Sequence, residues 1–177
     1  MLVRLANPED ASQLARINIA SWRTTYRGLI ADEILDGMTF AKYLEKWEQT
    51  LASQANGDTF CFAAENGSGE VIGYSVCGKN RHEKLPFDAE LFAIYLLKEY
   101  QGQGIGKNLF LTSVEEFRQR NISSFLLFVL SSNTASRKFY ESFQPDFTAN
   151  ETITIENGQY CDICYGWSDT QSLVFSR

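Results

Sequence analysis

The chain has a single histidine, His82, among 177 residues, and its 16 lysines and arginines are outnumbered by 22 acids. At a net charge of −6 it has no Lys/Arg stripe to neutralise a phosphate backbone, so nucleic acid is not an expected partner. The four cysteines form no dense disulfide framework: Cys61 and Cys77 lie in apolar alternating runs and read as small buried side chains. Cys161 and Cys164 make one C-x-x-C without a second pair at zinc-like spacing, and strand positions three apart face opposite ways. No metal site is expected. No apolar run is long enough to cross a membrane and the N-terminus lacks a secretory core, so no membrane partner is expected and the cytoplasm is the default. Internal repeats and a dividing linker are missing too, which leaves one domain over 1–177 as the expectation.

What is present is organised around residues 100–107, reading Tyr-Gln-Gly-Gln-Gly-Ile-Gly-Lys. The apolar run 91–97 before it reads as a buried strand; Ile105, Leu109, Phe110, Val114 and Phe117 after it fall at helical spacing. A strand, a glycine-dense turn and a helix place free backbone N–H groups and the positive dipole end at one point, where a phosphate or pyrophosphate fits. The bland alternative is that Gly102, Gly104 and Gly106 only make a tight connection. Neither the dinucleotide fingerprint nor the phosphate-loop signature matches.

Around this centre the chain alternates helical and strand patterns. Residues 2–5 read as a strand, and Asn7-Pro8-Glu9-Asp10 as a helix start with a cap, a first-turn proline and two acids. That helix carries Leu14, Ile17 and Trp22; Trp22 and Tyr26, four apart, are expected to pack together. A second helix from Thr39 has an apolar face through Tyr43, Trp47 and Leu51, with Asn56-Gly57 as its stop. Residues 59–64 and 70–77 read as a hairpin, and 78–84 as a surface loop in which His82 needs no special role. The run 89–97 is a central strand whose exception is Glu90, read from sequence as an exposed acid at the strand mouth. Residues 124–130 give another buried strand, 131–133 a helix cap, and 150–155 with 160–166 a hairpin about Asn157-Gly158. Residues 167–177 show little periodicity and read as a partly packed tail.

The run Gln101-Gly102-Gln103-Gly104-Ile105-Gly106 resembles the pyrophosphate-binding motif of the GCN5-related N-acetyltransferase (GNAT) family. Downstream, Asn133, Ala135 (one position early), Phe139, Tyr140 and Glu141 resemble that family's Asn-x-x-Ala and Phe-Tyr-Glu signature, in order. The resemblance implies an α/β (α+β) fold: a mixed, largely antiparallel sheet flanked by helices, with two splayed parallel central strands. It implies acetyl-CoA as acetyl donor, its pyrophosphate on the amides of Gln101, Gly102, Gln103, Gly104, Ile105, Gly106 and Lys107. The pantetheine would lie along Ile94, Tyr95 and Leu96, with Asn133 also holding the coenzyme. Glu90 would be the base, directly or through water, and Tyr140 would protonate the leaving thiolate. Trp22 and Tyr26 would wall the acceptor pocket, for a primary amine of a small molecule or a peptide. A noncatalytic acyl-CoA-binding module is the alternative, and the final hairpin is a candidate homodimer contact. One departure is that Gln144-Pro145 stands where the family has Gly-Phe, which removes the favoured left-handed cap residue.

Overall fold

A computed structural model describes residues 1–54, 56, 57 and 59–173. Its strands are β1 (Leu2–Leu5), β2 (Thr59–Glu65), β3 (Val71–Lys79), β4 (Ala89–Leu96), β5 (Phe125–Leu130), β6 (Phe147–Ile155) and β7 (Gly158–Trp167). They form one sheet in the order β1-β2-β3-β4-β5-β7-β6, antiparallel throughout except for the parallel pair β4 and β5. The helices are α1 (Ala11–Tyr26), α2 (Asp32–Asp36), α3 (Phe40–Gln54), α4 (Ile105–Gln119) and α5 (Thr134–Glu141).

The helical spacing read in the sequence places the core. On one face of the sheet α4 buries Ile105, Leu109, Phe110, Val114 and Phe117 against Phe125, Leu127 and Trp167. On the other, Leu14 and Ile17 of α1 pack with Trp47 and Leu51 of α3 over Cys61, Ala63 and Tyr74. A third cluster gathers Trp22 and Tyr26 at the end of α1 with Ile30, Leu35, Leu130 and Tyr160. The N-terminal cap is reciprocal: Asn7 accepts the Glu9 N–H at 3.0 Å, and Asp10 accepts the Asn7 N–H at 2.8 Å. Pro8–Asp10 is a 3-10 turn, so α1 proper begins at Ala11.

The structure adds one helix to the sequence reading and refines three expectations. The five-residue helix α2 has too few positions to show a period, and its fully buried Leu35 anchors it instead. The last hairpin turns at Glu156-Asn157, one residue before the expected Asn-Gly, with Glu156 at φ 50° and Ile155 paired with Gly158. Gly158 is required for a different reason: a Cβ there would stand 2.6 Å from the Tyr160 ring. At the end of α5, Gln144 takes φ 53°, so the left-handed turn survives without its glycine. The region after β7 is more ordered than its lack of periodicity suggested. Trp167 stacks on Phe125 at 4.8 Å, and Arg118 donates to the carbonyls of Thr170 and Leu173. Residues 174–177 lie outside the described residues.

One irregularity opens the sheet. Between Val76↔Ala93 and Cys77↔Leu91 the register slips, which leaves Phe92 as an extra residue in β4. Such a bulge bends its strand. β4 accordingly pairs with β5 only at Ala89↔Phe125 and Glu90↔Leu126, while β5 continues against β7 to Leu130. A gap between two central strands results.

Candidate active site

The glycine segment follows β4 on one side of this gap. Gly104 caps α4 at φ 81° and Gly102 sits at φ 73°, left-handed conformations that a side chain resists. Among the described residues the backbone N–H groups from Gly102 to Lys107 find no internal acceptor; the first to do so is Asn108, to Gly104. A row of free donors at the start of a 15-residue helix is an anion cradle. Gln101 turns its side-chain amide back to the Leu96 carbonyl at 3.2 Å, tying the cradle to the end of β4.

Beyond the gap, on the α1 side, lies an aromatic wall. Trp22 and Tyr26 meet edge-on at 4.9 Å, and the Tyr26 and Tyr95 hydroxyls are 2.9 Å apart. The Tyr95 side chain therefore faces this wall, while Ile94 and Leu96 face the α4 side. Burial raises the Tyr95 phenol well above its usual range.

Glu90 departs from the exposed acid expected at the strand mouth: it is 2% exposed. Arg81 reaches it from the loop after β3, Nε to Oε2 at 3.0 Å and Nη2 to Oε1 at 2.5 Å, and the Arg81 backbone N–H adds a third contact at 3.3 Å. The guanidinium also covers the Phe92 ring at 4.1 Å. His82 lies against Phe128 at 4.3 Å, its Nε2 3.8 Å from Glu90. Burying a charged group on a strand is costly without such a partner.

On α5, Asn133 caps the helix by accepting the Ser136 N–H at 3.1 Å, and Tyr140 is 8% exposed. Tyr140 packs with Phe110 and Phe139, ring against ring. Burial pushes its pKa upward, so the proton stays on the oxygen at neutral pH. Tyr140 belongs to the cluster on the α4 side, and Tyr26 and Tyr95 to those on the α1 side, so they lie on opposite faces of the sheet.

The acetyltransferase (GNAT) family profile matches residues 21–144, which include the bulged strand, the cradle and α5. The chain belongs to the GNAT family. It is 32% identical over 171 residues to the uncharacterised N-acetyltransferase YuaI of Bacillus subtilis, covering 97% of this chain and 95% of that one. It is 27% identical to a spermidine N(1)-acetyltransferase of Thermoplasma acidophilum, over 78% of this chain and 83% of the relative. Its fold matches the crystal structure of the PaiA N-acetyltransferase of Thermoplasma acidophilum in complex with coenzyme A. There the TM-score is 0.73 at 24% identity, over 94% of this chain and all of that one.

This GNAT chain is an acetyl-CoA-dependent acetyltransferase, and its residues fit the donor. The amide row accounts for a pyrophosphate, and the gap between β4 and β5 leaves strand edge for an extended pantetheine. Cys161 is exposed and Cys164 buried, on opposite faces as their spacing requires. Two ionisable residues on this face, Arg81 and Asp162, carry little signal in the sequence. Arg81 looked like one more charge in a polar loop. Asp162 stands on β7 within the run Cys-Asp-Ile-Cys-Tyr, an acid among apolar neighbours as Glu90 is, and that pattern was its available signal. It is 8% exposed, its Oδ1 has no partner among the described residues, and burial pushes its carboxyl up to about 6.

Proposed function

We propose that this acetyltransferase moves the acetyl group to a primary amine that arrives protonated, on a small cationic molecule or a peptide. The observation that carries this reading is the wall of Trp22, Tyr26 and Tyr95 across the gap from the cradle. Aromatic faces attract ammonium groups, the more so when water is excluded. The spermidine acetyltransferase relative supports the same acceptor class. A cleft of about 520 Å³ opens between α2, α3 and the final hairpin, with two acids, Glu33 and Glu156, against one base, Lys42, in its lining. It suits the distal cation of an extended amine.

In this reading Gly102, Gln103, Gly104, Ile105, Gly106 and Lys107 receive the pyrophosphate, and Ile94, Tyr95 and Leu96 offer backbone to the pantetheine; Gln101, expected in the amide row, instead gives its N–H to Lys98 and its side-chain amide to Leu96. Asn133 holds the start of α5 in place, and Tyr140 protonates the leaving sulfur. Holding amine and thioester together supplies much of the acceleration. Glu90, with both oxygens engaged by Arg81, organises the loop over the acceptor face and contributes charge.

The test is a panel of monoamines, diamines and peptides incubated with acetyl-CoA while free thiol is measured. Thiol release that depends on a cationic primary amine is the expected result. Tight coenzyme binding with no acceptor-dependent release across the panel would favour the regulatory acyl-CoA module instead.

A further inference from the structure

Asp162 has no role in the chemistry described so far, and its surroundings are unusual. It sits on β7 directly across from Leu130, the last residue of β5, and so shares the sheet face that Leu130 presents to Trp22 and Tyr26. On its other side in register is Glu151 of β6, an exposed acid. Tyr160 and Cys164 flank it two residues away on its own strand, and Tyr26 of α1 clusters with Leu130 and Tyr160, its phenol pKa raised by burial and in lesser part by Asp162. None of these neighbours is a cation. A carboxylate removed from water without a counter-charge or a full set of donors is costly, and proteins keep such groups chiefly where a ligand completes them. Glu90 on the same face illustrates the satisfied case, because Arg81 supplies its donors.

We propose that Asp162 is the carboxylate that receives the acceptor's ammonium group and takes its proton. The assignment rests on the amine reading above and deepens it. Asp162 stands opposite the last residue of β5, on the face where Leu130 clusters with Trp22 and Tyr26 and beyond the point where β4 has parted from β5. One ammonium proton passes to an Asp162 oxygen and on to solvent. The freed nitrogen lone pair forms the C–N bond at the thioester carbonyl carbon as the carbonyl π pair moves onto oxygen. Return of that pair breaks the C–S bond, and sulfur departs with the bonding electrons. Tyr140 gives sulfur its proton, and one of the two protons left on nitrogen restores the phenol while the other stays in the amide. Ammonium plus acetyl-CoA thus becomes amide, coenzyme A thiol and one released proton. Burial supports the role by making Asp162 a stronger base than an ordinary aspartate.

The experiment compares wild type, Asp162→Asn and Glu90→Gln with two acceptors at pH 7: 1,4-diaminobutane, a dication, and aniline, which is uncharged. For Asp162→Asn, kcat/KM toward the diamine should fall at least about 100-fold, the scale of a lost general base. The loss toward aniline should stay below about tenfold, since that amine has no proton to surrender before attack. Coenzyme affinity should be unchanged, and Glu90→Gln should lose less toward the diamine than Asp162→Asn. Calorimetric titration of the diamine into the enzyme–coenzyme A complex should give heat for wild type and none for Asp162→Asn. Normal diamine turnover by Asp162→Asn, or equal losses with both acceptors, would overturn the role of Asp162 and leave the amine reading standing. A wild type that neither binds nor acetylates the diamine would overturn both.

Discussion

The hydroxyls of Tyr26 and Tyr95 meet at 2.9 Å, joining the last turn of α1 to the bulged strand β4. Each is buried enough that its phenol is driven upward in pKa, so each depends on the other for a partner. Tyr26→Phe or Tyr95→Phe alone should cost about 1–3 kcal/mol of stability by stranding the remaining hydroxyl. The double variant should cost less than the sum, with a coupling of about 1 kcal/mol in denaturant unfolding. Additive losses would mean that the contact contributes nothing.

Gly104 and Gly106 should respond differently, although they look alike in the motif. Gly104 has φ 81° with open space where a Cβ would go, so Gly104→Val meets backbone strain of about 1–2 kcal/mol and puts bulk over the amide row. Coenzyme A should bind at least about tenfold more weakly, a loss of about 1.4 kcal/mol. Gly106 is not left-handed, and a Cβ there would make ordinary contacts with Leu96 at 3.5 Å and Phe139 at 3.6 Å. Gly106→Ala should leave the melting temperature within a few degrees of wild type. Calorimetry with coenzyme A and a thermal melt check the pair, and undisturbed binding in Gly104→Val would remove the pyrophosphate assignment.

Tyr140→Phe keeps the ring among Phe110 and Phe139 but removes the only proton it can donate. Turnover should fall by roughly one to three orders of magnitude, about 1.4–4 kcal/mol of barrier, with coenzyme affinity and thermal stability nearly unchanged. The loss should be larger for acetyl-CoA than for a donor whose thiolate leaves readily. Equal rates for wild type and variant, measured where chemistry limits turnover, would remove Tyr140 from the mechanism.

Asp162 also predicts a pH-dependent trade between activity and stability. Its folded-state pKa of about 6 lies above the ordinary 3.8, so the folded chain holds this proton more tightly than the unfolded one. The contribution is therefore fully present below pH 3.8 and is lost as pH rises through 6. Asp162→Asn, which carries no charge, should be about 1 kcal/mol more stable than wild type at pH 7.5, the shift being discounted for solvent screening at a partly solvated carboxylate. The difference should shrink toward zero near pH 4. A variant less stable than wild type at pH 7.5 and equally so at pH 4 would mean that Asp162 carries structure instead of strain.

Local chemistry alone determined a good share of this protein. Helical and strand periods, the Asn7-Pro8 start and the glycine row depend on neighbours within a few residues, and the elements they predict form with ends shifted by a few residues. The family follows from the same kind of information, since motif order along the chain is itself sequence. Tertiary structure decided which side chains share the gap. Glu90 reads as an exposed acid until the Arg81 loop folds over it, and Asp162 reads as an oddity in a strand until β5 ends beside it. The Tyr26–Tyr95 bond spans 69 positions, and the bulge at Phe92 shows only as a slipped register against β3. The physical reason is that burial and pairing of a charge depend on what arrives from elsewhere in the chain. A carboxylate carries no local mark of whether a guanidinium will reach it.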